Sequence, residues 1–297
     1  MKKKKLYLWT SDYSHTSGEG NLARIFVNYL KKKNKYSIHF INKNKSIYKY
    51  FSPFYGVFLC WKFFIKKQKV GYVNYLPMCN FLIFLLLPPG AIIGPITGGA
   101  NYSSKKNMNY FLRGVIFPIL YKISELIIMI RFNNVIFSTE LLKKYLSKKM
   151  IENCNFNFVL NHISKTKKKS KKIYDLIIYY RKHKNKHSSF PYNLIKDLIN
   201  LNYKIIVVGD KLKINKIKNY GYISNKYVKI LQSKSRFTIS SDENVYSLFT
   251  LESLSNNVKI LTDKKYKNQI KLFKNNFEII DFNNLNKFKK LFKDNRI

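Results

Sequence analysis

The chain has 297 residues, of which 46% are hydrophobic, and its 56 basic and 15 acidic side chains give a formal net charge of +41. That length suits two domains of roughly 150 residues, each able to bury its own core. The three cysteines, Cys60, Cys79 and Cys154, are isolated and form no Cys-x-x-Cys pair, which argues against a disulfide framework or a zinc site.

The positive charge has two interpretations. A nucleic-acid-binding protein would concentrate its basic side chains in one site, whereas a lysine-biased proteome would spread them over every solvated surface. Lysine is spread from Lys2 to Lys293, which favours the second interpretation. In either case, the excess charge attracts anionic lipid headgroups and phosphorylated substrates.

The first half of the chain alternates strand-like and helix-like segments. The predicted strands are KLYLWT, YSIHFIN, VGYVNYL, AIIGPITGG and NNVIFST. A glycine-containing loop, SHTSGEGN, joins the first strand to the first helix, LARIFVNYLKKK. Further helices are predicted between VGYVNYL and AIIGPITGG and over ELLKKYLSKK. Alternation of this kind indicates a parallel, doubly wound sheet.

Three apolar stretches bear on membrane contact. The basic start MKKKKLYLW gives way to polar residues at Thr10, so it is not a signal peptide. Residues 81–87 are too few to span a bilayer, and residues 114–130 contain Pro118, Lys122 and Glu125, which predicts a buried or interfacial helix. We therefore expect a cytoplasmic protein whose N-terminal half makes peripheral contact with an anionic membrane.

The second half restarts the alternation after a basic segment. Residues 164–172, SKTKKKSKK, contain no apolar side chain and are predicted to be a solvated linker. After it come the strands YDLIIYY, YKIIVVGD, RFTISS and VKILTD and the helices YNLIKDLINL, NKYVKILQSK and YSLFTLESLSN. The predicted fold class is α/β, with two Rossmann-like domains, residues 1–163 and 173–297, that face each other across a cleft.

A dense positive loop, RKHKNK, follows the strand YDLIIYY. In open α/β sheets, ligands bind outside the carboxyl ends of the strands. Arg181 and Lys186 are five positions apart in this loop, so both can converge on one anion. The guanidinium grips phosphate oxygens bidentately, and the ammonium acts as a compact point charge. The alternative is a solvated lysine-rich loop without a function.

Carboxylates are rare in this chain, yet Glu243 and Glu252 lie close together in the sequence. Glu252 is on the predicted helix that follows SSDENVYS, where its carboxylate could accept ribose hydroxyls; the alternative is that it faces solvent. A helix N-terminus also favours phosphate. The backbone amides that open this helix belong to Tyr246, Ser247 and Leu248.

Together these features resemble the C-terminal, donor-binding domain of GT-B glycosyltransferases, in particular the retaining family of sucrose- and lipopolysaccharide-type transferases. That family has an Arg and a Lys about five apart after the domain's first strand, as Arg181 and Lys186 stand here. It also has two glutamates separated by seven residues around a helix start. Glu252 matches the second. The first falls on Asn244, so either Glu243 serves after a one-residue shift or Asn244 hydrogen-bonds the donor sugar.

The resemblance covers roughly residues 175–263 and implies a nucleoside-diphosphate sugar as donor. Arg181 and Lys186 would neutralise its diphosphate without a divalent metal or any other cofactor, and the sequence contains no Asp-x-Asp motif. Gly221 and Ile223 would lie beside the nucleobase.

The N-terminal half would supply the acceptor side. SHTSGEGN takes the place of the family's glycine-rich loop, which makes Gly18 and Gly20 candidate contacts to the donor phosphates; a plain tight turn is the alternative. GPITGG resembles an acceptor-side loop of some polysaccharide transferases, with Thr97 and Gly98 near the place of a missing active-site histidine. His15 is either its substitute or a loop histidine without a catalytic role.

The resemblance thus implies transfer of a sugar to a glycan or lipid-linked acceptor, with retention, in bacterial envelope polysaccharide or lipopolysaccharide synthesis. Two alternatives stay open. One is a basic nucleic-acid-binding protein, although no nucleic-acid-binding motif occurs and no nucleic-acid partner is expected. The other is a degenerate GT-B fold that binds glycans without turnover.

Overall fold

The computed structural model describes residues 4–33, 35–41, 51–74, 76–98, 111–163, 170–182, 190–241, 244–282 and 284. The chain divides into two compact units, residues 1–162 (unit 1) and residues 163–297 (unit 2). Each unit is built on a parallel sheet. Within the described ranges, no helix is both long enough and apolar enough to span a bilayer.

Unit 1 has a central parallel sheet. Its described strands are β1 (Lys4–Thr10), β2 (Tyr36–Phe40), β3 (Lys69–Val73), β4 (Leu76–Pro77), β5 (Ile92–Ile93) and β6 (Ile96–Thr97). The order is β2-β1-β3-β5, and β4 pairs with β6 separately. Leu8 and Trp9 of the central strand point to opposite faces and are both buried, as expected for a strand that is covered on both faces.

The described helices of unit 1 are α1 (Gly18–Lys32), α2 (Ser52–Ile65), α3 (Phe81–Leu86), α4 (Phe117–Arg131), α5 (Lys148–Asn153) and α6 (Phe158–His162). A π-helical turn, Leu112–Ile116, leads into α4, and a 3₁₀ turn covers Glu140–Tyr145. Helix α2 was not predicted from the sequence. It packs closely on the sheet, because a Cβ on Gly56 would come within 2.5 Å of the Trp9 ring.

The predicted glycine-containing loop ends earlier than expected. Ser17 is the N-cap of α1 and its hydroxyl accepts a hydrogen bond from the Gly20 N–H, so Gly18 and Gly20 belong to the first turn of the helix. The preceding segment folds back against that turn. A Cβ on Gly20 would lie 2.3 Å from the Ser14 carbonyl oxygen, so glycine is required there by packing alone.

Two predictions for residues 133–149 were wrong. NNVIFST forms isolated bridges at Ile136 and Phe137 instead of a full strand. ELLKKYLSKK is broken into the 3₁₀ turn and α5, because Ser147 starts a new helix there. Its hydroxyl accepts from the Met150 N–H, and its own N–H donates to Glu125 Oε1 at 2.6 Å.

Unit 2 has a sheet of Rossmann type. Its described strands are β7 (Tyr174–Tyr180), β8 (Ile205–Gly209), β9 (Lys218–Asn219), β10 (Ser235–Ile239), β11 (Lys259–Asp263) and β12 (Phe277–Ile280). They lie in the order β9-β8-β7-β10-β11-β12, and every pairing is parallel. This corresponds to 3-2-1-4-5-6, the strand order of dinucleotide-binding sheets. The sequence did not predict β12.

The described helices of unit 2 are α7 (Tyr192–Asn200), α8 (Asn225–Ser233) and α9 (Leu248–Ser255), with 3₁₀ turns at Lys264–Gln269 and Lys274–Asn276. The core lies between the sheet and these helices. Helix α7 buries Leu194, Ile195 and Leu198 against β7 and β8. The three helices and the strands before them match the predicted alternation.

The predicted linker lies mostly outside the described residues, which resume at Ser170. Lys172 is not a solvated side chain. Its ammonium donates to the carbonyls of Ser235, Asn256 and Asn257 at 2.8, 3.5 and 3.1 Å. Burial lowers the pKa of Lys172 to about 8. The segment that enters unit 2 is therefore attached to the end of α9.

Candidate functional site

The strand order of unit 2 defines a topological switch point between β7 and β10. From β7 the chain moves outward through β8 and β9, then returns to β10 on the other side of β7. Ligands of open α/β sheets bind at such a point, outside the carboxyl ends of the two strands. Arg181 directly follows β7, and Ser240 and Ser241 directly follow β10. The two predicted halves of the donor site are thus at one edge of one sheet.

Arg181 lies beside aromatic and acidic side chains. Burial raises the pKa of Tyr179, and the neighbouring Arg181 guanidinium opposes that rise. Asp210 follows β8 and accepts from the Tyr222 hydroxyl at 2.8 Å and from the Lys182 N–H at 2.6 Å. Burial and the bond to Asp210 raise the pKa of Tyr222. The Asp210 bond to Lys182 fixes the backbone directly after Arg181.

Two glycines shape the same edge. Gly209 has φ +98°, and a Cβ there would lie 2.3 Å from the Tyr180 carbonyl oxygen. Its N–H donates to the carbonyl of Gly221 at 2.9 Å, which joins the ends of β8 and the loop after β9. Gly221 also has a positive φ of +68°, but a Cβ there would meet open space. The predicted nucleobase position at Gly221 and Ile223 therefore lies beside the Asp210–Tyr222 pair.

The loop between β10 and α9 is held by its own backbone. Asn244 Oδ1 accepts from the Tyr246 N–H, and the Asn244 carbonyl accepts from the Ser247 N–H, both at 2.9 Å. Ser247 is the N-cap of α9, and its hydroxyl accepts from the Thr250 N–H. Two of the three predicted phosphate-binding amides thus donate within the protein, and Leu248 begins the helix. The Tyr246 hydroxyl donates to the Leu272 carbonyl.

Glu252 is 3% exposed, so the alternative that it faces solvent is wrong. Its Oε1 accepts from Asn225 Nδ2 at 2.8 Å, and Lys229 Nζ lies 3.8 Å from the same oxygen. Both partners are on α8, just after the Gly221–Ile223 loop. The predicted ribose and nucleobase positions are therefore neighbours.

Lys186 and Glu243 lie outside the described residues, so their predicted roles stay predictions. The described part of the chain contains no group of three His, Cys, Asp or Glu side chains placed to hold a metal ion. The expectation that no metal takes part also stays a prediction.

In unit 1, the carboxyl ends of β1 and β3 are joined by Asn74. Its Nδ2 donates to the carbonyls of Asp12 and Glu19 at 2.6 and 3.1 Å. The Asp12 carboxylate accepts from the Ser17 hydroxyl and the Ser14 N–H. Burial raises the pKa of Asp12, but these hydrogen bonds and the Arg24 charge outweigh burial and hold it below its usual value. Because a carboxylate already lies at the start of α1, this helix N-terminus is poorly suited to donor phosphates.

The predicted acceptor-side residues lie in two places in unit 1. Thr97 ends β6, and its carbonyl accepts from the Met78 N–H at 2.8 Å. Gly98 packs under Leu142, since a Cβ there would lie 2.5 Å from Leu142 Cδ1. His15 is exposed in the loop after β1, and no hydrogen bond connects it to Thr97 or Gly98 among the described residues.

Sequence reasoning missed Asp210, Tyr222 and Asn225 as site residues. Asp210 carried a usable signal, because it is one of only 15 acidic residues and directly follows a buried strand. Tyr222 and Asn225 had none, because tyrosine and asparagine are common throughout the chain. Their positions depend on the pairing of β8 with β9 and of α8 with α9.

No protein-family model matches the sequence, and no curated protein matches it. Several solved structures do match the fold of this chain. The UDP-GlcNAc 2-epimerase of Methanocaldococcus jannaschii, in complex with UDP-GlcNAc and UDP, is 13% identical; the match covers 99% of this chain and 93% of that one, with a TM-score of 0.52. A Listeria monocytogenes protein assigned as a UDP-N-acetylglucosamine 2-epimerase is 8% identical, with coverages of 99% and 89% and a TM-score of 0.56. Escherichia coli heptosyltransferase WaaC with ADP is 9% identical, with coverages of 98% and 100% and a TM-score of 0.41.

The first two matches span nearly the whole chain and carry the fold assignment. The protein has a GT-B fold, and its α/β class with two Rossmann-like parallel sheets is confirmed. At these identities the likeness shows the fold alone.

Proposed function

We propose that the protein is a glycosyltransferase that takes a sugar from a nucleoside-diphosphate sugar. One observation carries the proposal: Arg181 and the start of α9 lie at the carboxyl ends of β7 and β10, at the switch point of a 3-2-1-4-5-6 sheet. A guanidinium and a helix N-terminus both stabilise the negative charge that develops on a leaving diphosphate.

The remaining donor contacts follow from the same edge of the sheet. Glu252 accepts the ribose hydroxyls beside Asn225, and the nucleobase lies along the loop from Gly221 to Ile223. Lys186 joins Arg181 on the diphosphate. Because Arg181 and Lys186 neutralise the diphosphate, the reaction needs no metal. Glu243 or Asn244 contacts the transferred sugar, and the resemblance to retaining transferases favours retention of the anomeric configuration.

The acceptor is a glycan or a lipid-linked saccharide of envelope polysaccharide or lipopolysaccharide synthesis, bound by unit 1. The protein works in the cytoplasm at the inner face of the plasma membrane. Its excess of 56 basic over 15 acidic side chains supports that location, because the inner leaflet is anionic.

Epimerisation of a nucleotide sugar is the second candidate function. It is favoured by the whole-length likeness to the M. jannaschii UDP-GlcNAc 2-epimerase. Either reaction needs an anion site for the diphosphate, so the products must distinguish them.

The test begins with thermal unfolding in the presence of UDP, UDP-GlcNAc, ADP and GDP. A ligand at 100 times its dissociation constant stabilises the folded state by ~2.7 kcal/mol. The nucleotide sugar that binds is then incubated with the protein and a membrane extract. Released nucleoside diphosphate together with a labelled glycan supports transfer, and a new sugar isomer without release supports epimerisation.

Binding without any product would support the degenerate fold. No response to any nucleotide, together with salt-sensitive binding to oligonucleotides, would overturn the proposal in favour of a nucleic-acid-binding protein.

A further inference from the structure

Helix α2 exposes an apolar stripe instead of a polar one. Phe51, Phe54, Phe58, Trp61 and Ile65 recur every three or four positions, so they lie along one side of the helix, and each is solvent-exposed. Ile65 retains 74% of its surface. A helix on the outside of a soluble protein usually turns polar side chains outward. Here the outer side is aromatic and aliphatic from one end to the other.

Helix α4 repeats the arrangement. Ile119, Leu126 and Ile130, together with Val115 of the π-helical turn that leads into α4, are exposed and again spaced along one side, and Ile130 retains 84% of its surface. The opposite side of α4 is buried through Tyr121 and Ile128 and other residues. The helix is therefore hydrophobic on both sides, although only one side meets the core.

Helix α3 lies between these two helices and connects their exposed sides. It packs against both α2 and α4. Trp61 Nε1 of α2 donates to the Leu86 carbonyl at 2.6 Å, and Arg131 of α4 donates to the Leu87 carbonyl at 2.7 Å. Leu82 and Leu85 of α3 are exposed as well. We call the exposed apolar side chains of α2, α3 and α4 the apolar face. Large contiguous patches of exposed apolar side chains mark interaction sites.

The exposed charged side chains on the helices that carry the apolar face are all basic. Helices α2 and α3 contain no acidic residue, and the one carboxylate of α4, Glu125, is buried and paired with Lys122 at 3.0 Å. Lys62 lies on α2, and Lys66 and Lys67 directly follow it; all three are exposed.

An open surface groove of about 380 Å³ adjoins the apolar face where α4 meets the turn after residue 143. Its walls combine Ile119, Pro118 and Leu146 with the side chains of Lys122 and Lys144. Apolar walls next to two ammonium groups suit a molecule that has an anionic headgroup and a hydrocarbon chain.

We propose that the apolar face docks the protein onto an anionic lipid bilayer, with its aromatic and aliphatic side chains in the headgroup boundary and Lys62, Lys66 and Lys67 on lipid phosphates. Apolar burial and attraction to anionic lipid together give interfacial binding. A second copy of the chain is a poorer occupant, because each copy carries the same excess of positive charge and the two repel. The inference assigns the surface for the proposed peripheral location, and it does not depend on sugar transfer.

The test is co-sedimentation with vesicles of phosphatidylcholine alone and of equal parts phosphatidylcholine and phosphatidylglycerol. The wild-type chain should bind the anionic vesicles more tightly. Part of that binding should persist when salt rises from about 0.1 M to about 1 M, where the Debye length falls from ~10 Å to ~3 Å. Complete loss at high salt would mean that charge alone is responsible and would overturn the proposal. So would an absence of binding at the lower salt.

A triple variant, Phe58→Ser, Leu126→Ser and Ile130→Ser, should lower the partition coefficient about tenfold or more, equivalent to ~1.4 kcal/mol. The matched control removes three exposed apolar side chains of unit 2, through Ile173→Ser, Leu272→Ser and Ile279→Ser. It should bind like the wild type. Equal binding by both triple variants would overturn the proposal.

Charge is tested in the same way. Lys62→Gln with Lys66→Gln should reduce the preference for phosphatidylglycerol more than Lys211→Gln with Lys213→Gln, an exposed pair in unit 2. Sedimentation velocity without lipid tests the second copy. A dimer that the unit 1 triple variant abolishes, with no vesicle binding, would assign the apolar face to self-association.

Folding and function are checked separately. Thermal unfolding of every variant establishes that it folds, and Ile130→Ser alone gives a milder change if the triple variant does not. Nucleotide binding by the unit 1 variants should be unchanged, because the donor site lies in unit 2. A failure of nucleotide binding in the wild type would count against the proposed function and leave the vesicle result intact.

Discussion

Asn225 donates a hydrogen bond to the buried carboxylate of Glu252 across 2.8 Å, and this bond joins the first turn of α8 to the middle of α9. Glu252 can therefore influence nucleotide binding in two ways, as an acceptor for ribose and as the partner that positions the loop before α8. One substitution alone does not separate these two roles of Glu252. Comparing a substitution at Glu252 with one at Asn225 does separate them.

The first prediction concerns this pair. Glu252→Gln should lower nucleotide affinity about tenfold or more, because a hydrogen bond to a charged group contributes ~1.5–3 kcal/mol. Asn225→Ala should reduce affinity less, since it removes only the positioning bond. Titration calorimetry with the nucleotide found in the thermal assay measures both. The control is Glu278→Gln, because Glu278 on β12 forms an ion pair with Lys259. Equal affinities for the Glu252 and Glu278 variants would remove Glu252 from the site.

The second prediction concerns the positive loop after β7. Arg181→Ala and Lys186→Ala should each slow turnover by ~10²–10³, the usual result of removing one stabiliser of developing charge. Arg181→Lys should restore only part of the rate, because an ammonium cannot bind two oxygens in the fork geometry. Steady-state kinetics with the identified donor measures these changes.

The controls are the neighbouring lysines. Lys182 is exposed, and it contacts Asp210 through its backbone N–H, which an alanine retains. Lys182→Ala and Lys184→Ala should therefore stay near the wild-type rate. If they lose as much activity as the Arg181 and Lys186 variants, the loop is a diffuse positive surface and not a diphosphate site.

The third prediction compares two glycines with positive φ. Gly209→Ala should destabilise the fold by ~3 kcal/mol or more, because its Cβ would meet the Tyr180 carbonyl oxygen at 2.3 Å in addition to the backbone strain. Gly221→Ala adds a Cβ in open space, so only the left-handed backbone costs energy, ~1–2 kcal/mol. Urea unfolding of both variants gives the difference. Similar losses would show that the contact with Tyr180 relaxes freely.

The fourth prediction is a pH dependence in unit 1. Burial raises the pKa of Glu125, but hydrogen bonds from Ser147 and the Lys122 ammonium outweigh it, so the folded pKa lies below its ordinary value of 4.5. A carboxyl with a lowered pKa stabilises the fold above its unfolded pKa, and that contribution is lost as the pH falls through the folded value. Glu125→Gln should therefore cost ~1–3 kcal/mol at pH 7 and progressively less below pH 4.5.

Glu140→Gln is the matched control for that experiment. Glu140 pairs with Lys143 at 2.8 Å, but both side chains are 37% exposed, and surface pairs contribute ~0–1 kcal/mol. Denaturant unfolding at pH 7 should show a smaller loss of stability for this variant than for Glu125→Gln. A Glu125→Gln deficit that stays constant down to pH 3 would mean that the contact with Ser147 does not depend on charge.

Hydrophobic periodicity predicted the parallel sheets well where strands are long. The β-branched runs of β7 and β8 predicted strands, and both are strands inside the unit 2 sheet. The pattern failed where a tertiary contact overrides local preference. ELLKKYLSKK is a good helical sequence, but the bond from Ser147 to Glu125 divides it. Helix α2 escaped prediction because both its buried and its exposed sides are apolar, so its sequence shows no alternation of polar and apolar residues.

The candidate site was predictable in part, where its residues directly follow predicted strands. Arg181 and the start of α9 each follow a strand, and the rule about carboxyl ends of parallel strands needs only that fact. The neighbourhood of Asp210 and Tyr222 depends on the pairing of β8 with β9, a two-residue strand without a hydrophobic pattern of its own. No local signal in the sequence reports that pairing.

The attachment of Lys172 to three carbonyls has a practical consequence for dissecting the protein. Sequence reasoning placed the start of the second domain at residue 173, one position after this lysine. A fragment that begins there would leave the carbonyls of Ser235 and Asn257 without their ammonium donor and would free the first strand at its entry. Expression of the C-terminal half alone should therefore begin at or before Ser170, whose hydroxyl also accepts from Ser233.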